Sequence, residues 1–160
     1  MWRKADREED TAIYLFAIRK NYMKGIVLTS HGLLADGMLD TIKIFSGEPS
    51  QIKALCLMPG DDMAKFLGDL CDAIDEVDTG DGVLVFCDLL FGTPCNCSGA
   101  LLGKKEYKER VQVITGMNLA MLLEYIGMRD NGMKPSEIID TGKCGIVDFN
   151  ELHKQRSQEL

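Results

Sequence analysis

The chain has 160 residues, of which 46% are hydrophobic and 27% are charged, and its formal net charge is −7. This size and composition fit one globular domain, and the negative charge argues against nucleic acid or an anionic membrane surface as a partner, because both attract basic surfaces. No apolar run approaches the roughly 20 residues that cross a bilayer, and the start of the chain lacks the pattern of a secretory signal, so we expect a cytoplasmic protein.

Residues 1–22 differ from the rest of the chain. Charges of both signs precede an apolar patch there, and Met23 follows directly before a strand-like run. The segment is either an amphipathic helix added to the domain or an extension upstream of the true start at Met23, and the sequence leaves both open. We expect the domain proper to span residues 23–150 and a polar tail to span residues 151–160.

From Gly25 onward, apolar runs alternate with helical patterns. The short continuous runs Gly25–Ser30 and Ile52–Met58 predict two buried strands. Between them lies a helical face that consists of Leu34, Met38, Ile42 and Phe45. Asp61 is a suitable N-cap for the next helix, whose predicted buried face consists of Met63, Phe66, Leu67, Leu70 and Ile74.

The second half of the chain repeats this alternation. Val83–Cys87 and Val111–Thr115 predict the third and fourth strands. Between them, Thr93 is the predicted N-cap of a helix, and Pro94 takes its first position, where no amide hydrogen is needed. Asn118 is the predicted N-cap of the helix that follows the fourth strand.

Four strand–helix repeats predict an α/β fold with a doubly wound, mainly parallel sheet. We expect the flavodoxin-like strand order 2-1-3-4. The short run Gly145–Phe149 predicts a last strand, which can pair with its own sheet or with the sheet of a neighbouring copy.

Two side chains with complementary chemistry follow neighbouring strands of this sheet. Ligands of an open parallel sheet lie beyond the carboxyl ends of the strands, where the strand order reverses. Here that point lies between strands one and three, which are followed by His31 and Asp88. A carboxylate that accepts from one imidazole nitrogen leaves the other as a nucleophile and stabilises the positive charge that grows on the ring. The sequence therefore predicts a nucleophilic His31 oriented by Asp88.

The residues beside this pair suit a bound anion. Gly32 lets the backbone pass close to a phosphate group, and the amides that begin the helix after His31 and those around Thr93 can face its oxygens. The hydroxyls of Ser30 and Thr93 would add donors. No sequence pattern of a nucleotide-binding loop is present, so we expect no cofactor.

The six cysteines are expected to be reduced thiols, because the chain has enough apolar residues for a core and no secretory signal. Cys95 and Cys97 are separated by one residue, whereas zinc sites and thioredoxin-like motifs favour a spacer of two. We therefore expect no metal site.

Four sequence blocks, in this order and spacing, resemble the mannose-family enzyme IIA components of the bacterial sugar phosphotransferase system. They are Gly25–Gly32 with its histidine, Met58–Asp61, Gly82–Pro94 with Asn96 beyond it, and Val113–Asn118. The resemblance covers roughly Met23 to Phe149.

This resemblance implies a phosphohistidine carrier. His31 would accept a phosphoryl group from the histidine-containing phosphocarrier protein and pass it to enzyme IIB for sugar uptake, Asp88 would orient His31, and Gly92 and Thr93 would belong to the supporting loop. The family is usually dimeric, so the resemblance also implies a homodimer in which the last strand, antiparallel to the others, is exchanged between subunits.

The sequence departs from the family pattern at the N-terminal segment 1–22, at Phe91, where a glycine is common, and at Cys95 and Cys97, which flank Asn96. Three other functions stay open. They are a regulatory protein whose phosphorylation state is read by a partner, a flavodoxin-like binder of a small molecule, and the related phosphodonor domain of the dihydroxyacetone kinase system, which shares the histidine.

Overall fold

The structure, a computed structural model, describes residues 25–158. Four strands alternate with helices, and two further helices follow. The strands are β1 (Gly25–His31), β2 (Ile52–Leu57), β3 (Val83–Cys87) and β4 (Val111–Thr115). The helices are α1 (Leu34–Ser46), α2 (Met63–Val77), α3 (Thr93–Leu101), α4 (Leu119–Met128), α5 (Pro135–Cys144) and α6 (Phe149–Gln158). The N-terminal segment that the sequence sets apart, residues 1–22, lies outside the described residues.

All four strands are parallel and lie in the order β2-β1-β3-β4, which confirms the predicted order. Strand β1 is central, since Ile26 pairs with Ile52 on one side and with Leu84 on the other. The first six residues of β1 are buried and His31, at its carboxyl end, is exposed. A strand covered on both faces needs apolar side chains on both, which explains the continuous apolar run.

Helices cover both faces of the sheet, each over its own hydrophobic cluster. On one face α2 and α3 pack against Val27 and Val85. On the other face α1, α4 and α5 pack against Ile26, Leu28 and Phe86. The fold is therefore the predicted doubly wound α/β sheet, and its carboxyl edge is left to loops. No helix within residues 25–158 has the length and apolar character needed to span a bilayer.

The start of α2 differs by one residue from the prediction. Asp62 is the N-cap, because its side chain accepts a hydrogen bond from the Lys65 N–H at 2.7 Å. Asp61 instead accepts the Met58 N–H at 2.7 Å and closes the turn after β2. Adjacent aspartates offer two equivalent acceptors, and the backbone of the turn decides which of them caps the helix.

The starts of α3 and α4 show one further correction and one confirmation. Gly92 is the N-cap of α3, so Thr93 is its first residue rather than its cap. Asn118 caps α4 as predicted, with its side chain accepting from the Met121 N–H at 3.2 Å.

The predicted last strand at Gly145–Phe149 does not form within the described chain, and its exchange with a neighbouring copy stays a prediction. Helix α5 ends at Cys144, and Asp148 caps α6, because its Oδ1 accepts the Asn150 N–H at 2.9 Å. A short apolar run becomes a strand only when it pairs with a sheet edge, and here the sheet contains β1 to β4 alone. The segment predicted as a polar tail is helical as far as Gln158.

Candidate active site

Parallel register brings His31 and Asp88 together at the carboxyl edge of the sheet. Thr29 of β1 pairs with Cys87 of β3, so Asp88 follows β3 at the level where β1 ends. The Asp88 N–H donates to the Thr29 carbonyl at 3.2 Å and continues the strand pairing by one more residue. The His31 side chain is 44% exposed and the Asp88 side chain is 12% exposed, so the pair is accessible mainly through the imidazole.

Three hydrogen bonds fix the Asp88 carboxylate. Its Oδ2 accepts from the His31 backbone N–H at 2.8 Å and from the His31 Nδ1 at 2.9 Å. Its Oδ1 accepts from the Leu89 N–H at 2.7 Å. Because the carboxylate binds both the backbone and the ring of His31, it fixes the position and the rotation of the imidazole together.

The environment of Asp88 keeps it ionised. Burial by itself raises the pKa of this carboxyl, but the hydrogen bonds from the His31 amide, the His31 ring and the Leu89 amide outweigh burial and hold the pKa below its usual value. An ionised carboxylate only accepts hydrogen bonds, so the proton between the two groups lies on Nδ1. In the neutral ring, Nε2 therefore carries the free lone pair and is the nucleophilic nitrogen.

Ser30 and Gly32 shape the turn on either side of His31. The Ser30 hydroxyl is buried, accepts the Ala35 N–H at 2.8 Å and donates to the Gly32 carbonyl at 3.3 Å. It therefore holds the first turn of α1 rather than facing the open side of the imidazole. Gly32 has φ +54°, a left-handed conformation that glycine adopts without strain, and its N–H donates to the Leu57 carbonyl at 2.8 Å.

Gly92 forms one wall of the imidazole site. A Cβ atom at this position would lie 2.6 Å from Cε1 of His31 and 3.1 Å from the Leu89 carbonyl oxygen, so only glycine lets the loop approach the ring so closely. Thr93, which follows it, is half-buried at the first position of α3, where amide groups have no partner within the helix. The two residues thus place a helix N-terminus beside His31.

The loop between Asp88 and α3 contains a strained residue. Phe91 has φ +61°, and a bulky side chain in this left-handed region costs about 1 kcal/mol or more. The Asn96 side-chain amide donates to the Phe91 carbonyl at 2.9 Å, and the Gly92 N–H donates to the Leu89 carbonyl at 3.0 Å. These bonds fix the loop, and the strain explains why glycine is suited to the position of Phe91.

Several contributors to the site are backbone groups that sequence reasoning missed. The Leu89 amide and the Thr29 carbonyl both hold Asp88, but backbone atoms are common to all residue types, so no sequence signal marks them.

Burial raises the pKa of the neighbouring Cys87 thiol to about 12, so this thiol stays protonated near neutral pH and does not compete as a nucleophile. Within residues 25–158, no three His, Cys, Asp or Glu side chains gather as metal ligands.

Fold and site together define a flavodoxin-like α/β domain with an exposed histidine, paired with an aspartate, at its carboxyl edge. The EIIA-man family, described as PTS system fructose IIA component, matches residues 25–141 of this chain. The match covers well over half of the sequence. The chain therefore belongs to the mannose-family EIIA components of the sugar phosphotransferase system (PTS).

Individual relatives agree with this assignment. The chain is 29% identical over 125 residues to the PTS system mannose-specific EIIAB component of Escherichia coli, an alignment that covers 76% of this chain and 38% of that protein. It is 28% identical to the PTS system sorbose-specific EIIA component of Lacticaseibacillus casei over 71% of this chain and 79% of that protein. The chain thus corresponds to less than half of the E. coli protein and to most of the L. casei protein.

Solved structures show the same fold. The PTS IIA protein associated with the fucose utilization operon of Streptococcus pneumoniae superposes with a TM-score of 0.74 at 29% identity, over 82% of this chain and 97% of that chain. The phosphotransferase system component EIIA of Streptococcus agalactiae superposes with a TM-score of 0.69 at 28% identity, over 79% and 98% of the two chains.

The contact between Gly92 and the imidazole predicts that Gly92→Ala displaces the ring of His31. Gly92 has φ −67°, so alanine can adopt its backbone conformation. The weaker N-cap and the close contact of the added Cβ with the Leu89 carbonyl should together lower the free energy of unfolding by about 1 to 3 kcal/mol. We expect the ring signals of His31 in a proton–nitrogen NMR spectrum to shift, while those of His153 stay in place. Gly99→Ala, in the same helix with no atom near its added Cβ, is the matched control. Unchanged His31 signals in Gly92→Ala would show that Gly92 does not set the ring position.

Proposed function

We propose that this chain is a phosphohistidine carrier that accepts a phosphoryl group on His31 from the histidine-containing phosphocarrier protein and passes it to enzyme IIB. The observation that carries the proposal is the 2.9 Å contact between Nδ1 of His31 and Oδ2 of Asp88 at an exposed edge of the sheet. This contact supports a role in which Nε2, the other ring nitrogen of His31, is free to react and accessible to a partner protein.

The transfer step follows from this geometry. The lone pair on Nε2 of His31 attacks the phosphorus atom, and the phosphorus–nitrogen bond to the donor histidine breaks, with its electron pair returning to the donor ring. The attacking imidazole becomes positively charged, and the fixed carboxylate of Asp88 stabilises that charge without having to reorganise. Transfer to the acceptor is the same exchange with His31 as the leaving group.

The phosphoryl oxygens would be stabilised by the backbone around the ring. First-turn amides of α1 and α3 lack partners within their helices, and helix N-termini favour negative charge. The Ala35 N–H, which donates to Ser30, and Pro94, which has no N–H, are the exceptions that cannot contribute. The Thr93 hydroxyl, at the first residue of α3, supplies a further donor in this proposal. Ser30 and Gly32 support the turn from which the α1 amides are presented.

The exposure of His31 favours a protein partner over a small ligand. A site for a small molecule typically buries most of its ligand in a concave pocket. The His31 side chain is 44% exposed at a loop-lined edge, which suits a group that must meet one protein to be loaded and another to be unloaded. We place the chain in the cytoplasm, where the phosphocarrier protein and enzyme IIB of this system act.

A homodimer remains part of the proposal. Ile146 and Val147, between α5 and α6, and Phe149, the first residue of α6, are each more than half exposed, and α6 buries none of its residues. Apolar side chains in such a segment are suited to a contact with a second copy. Sedimentation of the full-length chain at micromolar concentration gives its oligomeric state directly.

The assignment of His31 as the acceptor is tested by His31→Ala. With phosphoenolpyruvate, enzyme I and the phosphocarrier protein, the wild-type chain should gain the mass of one phosphoryl group, and His31→Ala should gain none. His153→Ala is the control, because His153 is exposed on α6 and the variant should be labelled fully. The adduct should be acid-labile, as phosphoramidates are. Full labelling of His31→Ala would rule out this acceptor.

The role of Asp88 is tested by Asp88→Asn. Loss of the charge opposite the developing imidazolium should slow phosphoryl transfer about 100-fold, while the chain stays folded. Asp88 has a lowered pKa in the folded state, so its contribution to stability is present above about pH 4 and is lost as the pH falls through the folded value. The difference in melting temperature between wild type and Asp88→Asn should therefore shrink below about pH 4. A transfer rate equal to that of the wild type would show that Asp88 does not contribute to phosphoryl transfer.

A further inference from the structure

Four large apolar residues lie on the two loops that adjoin His31 at the carboxyl edge of the sheet. Leu33 follows β1, and Leu89, Leu90 and Phe91 lie on the loop between β3 and α3; each is more than half exposed. We call these four residues the apolar rim. The Leu89 Cβ and the His31 Cε1 both lie within 3.3 Å of the position that a Cβ on Gly92 would take, so the rim begins at the edge of the imidazole.

Phe91 is the residue of the rim that the fold does not explain. The residue is 78% exposed and belongs to neither hydrophobic cluster of the described residues. Its backbone has φ +61°, a conformation that glycine adopts freely and phenylalanine adopts at a cost. The chain therefore keeps an aromatic ring in solvent, on a strained backbone, one residue before the glycine that touches His31. Strain of this kind concentrates at functional sites.

The charges around the rim indicate what kind of surface fits it. The stretches 32–36, 58–62 and 88–92, which lie at this edge, contain no Lys or Arg. Asp36, Asp61 and Asp62 are exposed there, and the nearby Lys65 is paired with Asp69 at 2.6 Å. An apolar patch set among carboxylates is complementary to a protein face that has apolar side chains ringed by cations.

We propose that Phe91 is the anchor by which this chain binds and selects the protein that loads His31, a protein whose phosphohistidine lies in an apolar face with cations at its margin. The inference rests on the proposed function. A donor that brings its phosphorus to Nε2 of His31 has to cover the adjoining loop, and burying an exposed aromatic side chain near the centre of a contact is typical of residues that dominate binding.

The test uses the full chain and the phosphorylated histidine-containing phosphocarrier protein as the probe, with the KM for the donor and kcat of transfer measured separately. Phe91→Gly and Phe91→Asn remove the ring but suit a left-handed backbone. We expect the KM for the donor to rise about tenfold or more in both, with kcat within twofold of the wild type and a melting temperature for Phe91→Gly at or above that of the wild type. Phe91→Tyr, which keeps the aromatic ring, should have the same KM for the donor as the wild type.

Phe45→Ala is the matched control, since Phe45 is also an exposed phenylalanine but lies at the far end of α1 from His31. The KM of this variant for the donor should equal that of the wild type. A KM within twofold of the wild type in Phe91→Gly would overturn the inference and leave the proposed function standing. A fall in kcat with an unchanged KM would also overturn it, because the loop would then be positioning His31 rather than binding the donor. A wild-type chain that is not labelled at all would overturn both proposals.

Discussion

The site depends on the carboxylate of Asp88, which connects the carboxyl ends of β1 and β3. Oδ2 of Asp88 accepts both the backbone N–H and the ring Nδ1 of His31, so the end of β3 holds the end of β1 through the same atom that orients the imidazole. The Leu89 amide occupies the other oxygen. A carboxylate that accepts from three donors stays ionised and fixed in position. Both properties suit the proposed reaction, in which the imidazole of His31 becomes positively charged.

The parallel sheet makes this arrangement possible. β1 and β3 are 50 or more residues apart in the chain but adjacent in the sheet, and parallel strands present their carboxyl ends at one edge. The six buried residues of β1 anchor the strand in the core and so fix the position of His31 at its exposed end. The loops then complete the site, because Gly32 turns the chain into α1 and Gly92 allows the next loop to touch the ring.

Much of this could be predicted from the sequence, because strands buried on both faces have a continuous apolar pattern. Apolar runs predicted all four strands to within a residue, and the strand order then brought His31 and Asp88 to one edge. The α1 face was less well predicted, since Leu34 and Phe45 lie at the ends of the helix, beyond the sheet, and are exposed. The run at Gly145–Phe149 has the composition of a strand, but composition does not supply a pairing edge. Phenylalanine rarely has a positive φ, so its residue type does not predict the left-handed backbone of Phe91.

The proposed transfer depends on a single nitrogen atom: Asp88 holds Nδ1 of His31, and we propose that the phosphoryl group bonds to Nε2. Phosphorus–nitrogen NMR of the loaded chain, prepared with ¹⁵N-labelled histidine, identifies the bonded nitrogen directly, and His153 serves as the internal reference for an unmodified ring. We predict that the phosphorus couples to Nε2 of His31 while Nδ1 keeps its proton. A phosphoryl group on Nδ1 would contradict it, because that nitrogen would then have to leave Asp88 before the reaction.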